Sequence, residues 1–149
     1  MNMKRFAVAA LVGGITMWGV GYLIWGLVFA DFFAANAGSA TGVARDATLQ
    51  WAIALGSLFL AVLITLAVSG AGGSSVGEGF KLGATVGFLV WFGVDFISYG
   101  VTNIWNLTAT IVDSLLGVVL SGIGGGVIAV VLGRNGQPGA CEEGVGQAG

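Results

Sequence analysis

Apolar positions gather into four long runs, residues 6–29, 49–68, 80–105 and 107–132, with most of the polar positions between them. The connectors are a long "ADFFAANAGSATGVARDAT", a glycine-rich "SGAGGSSVGEG" and a very short turn at "WNLT". Each run reaches the roughly 20 helical residues that cross a hydrocarbon layer about 30 Å thick. An open sheet edge finds no hydrogen-bonding partner in lipid, so spans of this kind are helices. The pattern predicts an all-α, integral membrane four-helix bundle with antiparallel neighbours over residues 1–134. Residues 135–149 hold the only proline, Pro138, and read as a polar, flexible tail.

The third run is not uniformly oily. Asp95, Ser98, Tyr99, Thr102, Asn103 and Asn106 follow one another at three- and four-residue steps or close to them, the spacing of a single helix face. Phe96, Ile97, Val101 and Ile104 occupy the opposite side, which suits lipid. A turn centred near Asn106 sets Asp95 level with Gly117, Tyr99 with Asp113, Ser98 with Ser114, and Thr102 with Thr110. The expected seam is therefore Asp95, Ser98, Tyr99, Thr102, Asn103, Thr110, Asp113 and Ser114. Gly117, Ser121 and Gly125 form a small-residue row along the fourth run, which lets two helix backbones approach closely.

Composition turns this pattern into a statement about solvent. Of 149 residues, 56% are hydrophobic and 8% charged, where a soluble domain carries about a quarter charged. So few charges cannot cover a surface facing water, and the expected surroundings are a lipid bilayer. The net charge of −2 and the lack of a basic patch argue against a nucleic-acid partner. With no histidine and a single cysteine, Cys141, neither an internal disulfide nor a His/Cys metal site has the residues it needs. No cofactor is expected.

Charge placement orients the spans. Lys4, Arg5, Lys81 and Arg134 fall on one side and only Arg45 on the other, so both termini are expected in the cytoplasm. The expected location is the cell's inner (plasma) membrane, as a multi-pass protein. "MNMKRFAVAALVGG" also resembles the opening of a secretory leader, but the apolar run exceeds a leader's usual length and favours a retained span. Trp25, Phe29, Phe32, Phe33, Trp51 and Trp105 mark the outer boundary as an aromatic belt. Trp18 and Trp91 lie too deep for the belt and are expected between helices. "VGYLIW" (residues 20–25) echoes "VGFLVW" (residues 86–91), yet their distances from the flanking basic residues differ, which favours coincidence over duplication.

Apart from Lys81 at the very start of the third run, no Lys, Arg or His lies inside the runs, so Asp95 has no cationic partner at its depth. An acid in that position is a functional-site hypothesis by default. The plainer reading is a hydrogen-bonding group between helices. The remaining motifs are weak. "FGVD" together with Asp113 raises an intramembrane diacid hydrolase only remotely. "NLT" reads as a helix cap at Asn106, and the glycine-rich connector lacks the Lys of a phosphate loop.

The segments "GYLIWGLVFADFF", "GFKLG", "YGVTN" and "TIVDS" resemble small bacterial four-helix membrane proteins classed as domains of unknown function. That resemblance covers most of Gly14 to Arg134 and implies a four-span fold with no assigned chemistry. The expected role is non-enzymatic: a structural or accessory subunit packing in the bilayer as a homo-oligomer or within a larger membrane complex. The alternative is a small carrier or channel with a proton or cation pathway past Asp95, Tyr99 and Asp113.

Overall fold

The structure, a computed structural model, describes residues 2–73 and 75–133. Arg134, Pro138, Cys141 and the rest of the expected tail lie outside the described residues. The fold is helical: α1 (Met3–Gly21), α2 (Ala30–Ala35), α3 (Gln50–Gly70), α4 (Val76–Val101) and α5 (Leu107–Gly133), with a π-helical segment, Tyr22–Val28, continuing α1. Among the described residues there is no strand, only an isolated bridge between Ala37 and Trp105. Four stretches are long and apolar enough to cross a membrane: Met3–Val28, Gln50–Gly70, Val76–Val101 and Leu107–Gly133.

Local chemistry sets the helix ends. Asn2 caps α1 by accepting from the Lys4 amide at 3.0 Å. At the end of α3, Gly72 takes φ +68° and the Gly73 amide returns 3.0 Å to the Val68 carbonyl, a closure that glycine permits without strain. Ser75 and Glu78 then form a reciprocal capping box that opens α4. α4 therefore starts four residues before the expected Phe80. It also stops four residues before the expected Trp105, because Thr102 is extended at φ −133°, ψ 166°. Asn106 caps α5, its side-chain oxygen accepting from the Ala109 amide at 2.9 Å, as the sequence suggests.

Residues 102–106 leave the helix to pair with the loop after α2. Gly38 N donates to the Ile104 carbonyl at 2.7 Å, Ala40 N to Asn103 O at 3.0 Å, and Asn106 N to Asn36 O at 3.1 Å. This clasp closes one end of the bundle. The N-terminus of α1, the α3–α4 turn and the C-terminus of α5 lie together at the other end, where Gly13 meets Ile128 and Gly79 meets Ala129.

α5 is the central helix and packs on α1, α3 and, most extensively, α4. Met17, Ile64, Val68, Ile128, Ala9 and Ala61 build the core around it. The α4–α5 contact is nearly backbone to backbone. A Cβ on Gly79 or Gly83 would overlap α5 backbone carbonyls, those of Gly125 and Ser121, and one on Gly125 would overlap Gly79 O. Close approach of this kind brings many atoms of the two backbones into dispersion contact.

Candidate functional site

Because α4 starts and stops four residues early, its register on α5 shifts by one helical turn. Gly117 faces Trp91 rather than Asp95, and Ser121 faces Gly83 and Gly87. Asp95 reaches Ser114 instead, whose hydroxyl lies 2.8 Å from Asp95 Oδ2 and 3.0 Å from the Thr110 carbonyl. With α4 ending at Val101, Asp95 lies only about 9 Å from the end of its helix, shallower than the sequence places it.

Most of the expected seam converges all the same. Asp95, Ser98, Tyr99, Thr102, Thr110 and Asp113 line one cavity of about 110 Å³ with Ile104 and Trp105. Asn103 does not join them. Its amide donates to Ser39 Oγ at 2.5 Å as part of the clasp. The lipid-side assignment matches exposure at Ile97 (69%) and Val101 (78%), whereas Ile104 turns inward to the cavity. Gly117, Ser121 and Gly125 all lie in the α4–α5 contact.

The expected contact between the Tyr99 hydroxyl and Asp113 is absent: among the described residues no hydrogen bond joins them. Asp113 Oδ1 accepts instead from Trp25 Nε1 at 2.5 Å. Trp25 belongs to the π-helical segment, whose wider turn carries one more residue per turn than its surroundings and re-aims the side chains. Its ring stacks on Trp91, with centroids 5.8 Å apart and planes at 22°. The two echoing segments thus meet at one depth. Trp91 can lie against α5 because Gly117 has no side chain: a Cβ there would overlap the indole.

Behind this stack opens a cavity of about 840 Å³ bounded by α1, the π-helical segment, α3 and α4. Trp18, Tyr22, Trp25, Phe33, Trp91 and Trp105 supply aromatic walls, Thr48 and Gln50 add polar groups, and Asp113 is its only acid among the described residues. Asp113 and Trp105 line both cavities. Among the described residues, no Lys or Arg lines either one. Phe33 meets Trp105 edge-on at 5.3 Å, joining α2 to the cavity wall.

The aromatic cavity was not anticipated from the seam. Its signal is nevertheless present, since Trp18, Tyr22 and Trp25 fall at four- and three-residue steps along one face. What the sequence could not supply is the π-helical turn that aims Trp25 at α5. Comparisons of the chain with protein families, with curated proteins and with solved structures found no match.

Proposed function

We propose that this is a four-span, non-enzymatic membrane protein of the inner (plasma) membrane, with cytoplasmic termini, that binds a small molecule between its helices as a receptor or carrier. The carrying observation is the 840 Å³ cavity with Asp113 in its wall. Small-molecule sites span roughly 300–1,000 Å³ and combine apolar walls with a few convergent polar groups.

Exposed apolar side chains such as Leu23, Leu27, Phe59, Leu89 and Ile97 support a bilayer setting, since water-facing surfaces rarely hold so many together. Lys4, Arg5 and Lys81 at one end of the bundle and Arg45 on the connector at the other support cytoplasmic termini. The small-residue row Gly117, Ser121 and Gly125 is occupied within the chain, so it gives no support to a homo-oligomer or a larger complex. Asp95 is held by Ser114 and Asp113 by Trp25, and the lack of a hydrogen bond between the two acids among the described residues gives no support to a hydrolytic pair.

The test fills the cavity. Gly56 lines it, and a Cβ there meets nothing within 4 Å. Native mass spectrometry of the protein released from lipid nanodiscs should show a bound small molecule that Gly56→Phe eliminates. Identical spectra for the two proteins would refute a ligand site.

A further inference from the structure

The geometry points to a hydrophobic organic cation as the ligand of the aromatic cavity, with Asp113 as its counter-ion. This rests on the small-molecule reading above and names the ligand's chemical class.

Charge comes first. Asp113 and Asp95 are both held by neutral donors, the Trp25 indole and the Ser114 hydroxyl. Among the described residues no basic side chain lines either cavity, and beyond Lys81 at the start of the third run none lies within the four apolar runs. Trp25 engages Asp113 Oδ1, and among the described residues Oδ2 has no hydrogen-bond partner. An intramembrane carboxylate without a cation is costly, and a bound cation removes that cost. An anionic ligand would meet Asp113 and, among the described residues, no compensating base.

Shape and wall chemistry select the kind of cation. A small hydrated metal ion needs converging oxygen ligands, whereas the cavity that Asp113 lines is walled mostly by aromatic and aliphatic side chains. Six aromatic side chains, Phe33 among them, line the space, including the Trp25–Trp91 stack. Indole faces carry the negative side of the ring quadrupole and attract a weakly hydrated organic cation. The volume admits a molecule of several rings. A quaternary ammonium or phosphonium with aryl groups satisfies charge, wall and volume together.

The test uses two ions of the same shape and opposite charge, tetraphenylphosphonium and tetraphenylborate, titrated against protein in nanodiscs of zwitterionic lipid and read by quenching of tryptophan fluorescence. The expected result is saturable binding of the cation, none of the anion, and about tenfold or greater weakening in Asp113→Asn. The asparagine keeps a carbonyl oxygen for Trp25, so the fold should persist, as circular dichroism will verify. If that variant does not fold, discrimination between the two ions by the unaltered protein decides the matter. Equal binding of both ions, abolished by Gly56→Phe, overturns the cation assignment and leaves the small-molecule site standing. Binding of neither ion, with the bound molecule still lost in Gly56→Phe, also overturns the cation assignment alone. If Gly56→Phe changes nothing in either experiment, both readings fall.

Discussion

Trp25 Nε1 lies 2.5 Å from Asp113 Oδ1, a hydrogen bond between residues 88 apart in sequence that ties the π-helical end of the first span to α5. It fixes the aromatic wall of the large cavity and holds the acid that both cavities share. Trp25→Phe keeps much of the ring but removes the donor. Interhelical hydrogen bonds in membranes contribute about 0.6 kcal/mol on average and reach about 1.7 kcal/mol. Trp25→Phe should therefore lower stability by about 1 kcal/mol in reversible detergent unfolding. Asp113→Asn should lower it by less, because its amide oxygen still accepts. The reverse order would mean that this bond does not organise the site.

The α4–α5 contact predicts a contrast between two glycines of one helix. A Cβ at Gly83 would overlap α5 backbone, while at Gly93 it meets nothing within 4 Å. Gly83→Ala should cost about 1–3 kcal/mol through overpacking. Gly93→Ala should be neutral or stabilising by up to about 1 kcal/mol, since alanine is the better helix former. Thermal unfolding of the two variants, side by side, measures this. Equal effects would show that the helices are not in backbone contact at Gly83.

Gly56 offers the converse case, an open glycine facing a cavity. Gly56→Leu replaces a poor helix former and places apolar atoms in empty space. Stability without ligand should rise by about 0.5–1 kcal/mol from helix propensity alone, while ligand binding is lost. Stability and binding falling together would place the side chain elsewhere than in the cavity.

The proposed topology is tested by thiol labelling in intact cells. A cysteine introduced at Ala44, in the connector before α3, should react with a membrane-impermeant maleimide from outside. The native Cys141 should react only after the membrane is opened. Labelling in the opposite order would invert the orientation.

Four apolar runs and a polar face were legible in the sequence because a helix writes its burial pattern into three- and four-residue spacing. The starts of α3 and α5 fall within a residue of their apolar runs, since flanking polar residues mark them sharply. The register of Asp95 was not legible. It depends on Thr102–Asn106 leaving the helix to pair with residues 36–40, a contact between distant parts of the chain that no local pattern records. The capping box at Ser75 and Glu78 was readable as S-x-x-E, and it accounts for the early start of α4. Tyr99 was expected to meet Asp113, but a shift of one turn and a π-helical segment together gave that place to Trp25.

The outer clasp predicts how a ligand gains entry. Gly38 approaches so closely that a Cβ would overlap the Asn103 carbonyl oxygen. Its own amide donates to Ile104 O, and Asn103 Nδ2 holds Ser39. This pairing sets Trp105, which lines both cavities and meets Phe33 edge-on. In Gly38→Ala the backbones must separate, which breaks the bonds to Ile104 and Asn103 and loosens Trp105. Hydrogen exchange followed by mass spectrometry should show faster exchange at residues 36–40 and 102–106, with α4 and the rest of α5 unchanged. Tetraphenylphosphonium, if bound as proposed, should dissociate faster, because Trp105 no longer closes the wall. Asn103→Ala removes only the Ser39 bond and should give a smaller change of the same sign. Unchanged exchange in the alanine variant at Gly38 would mean that this loop does not hold the end of the bundle.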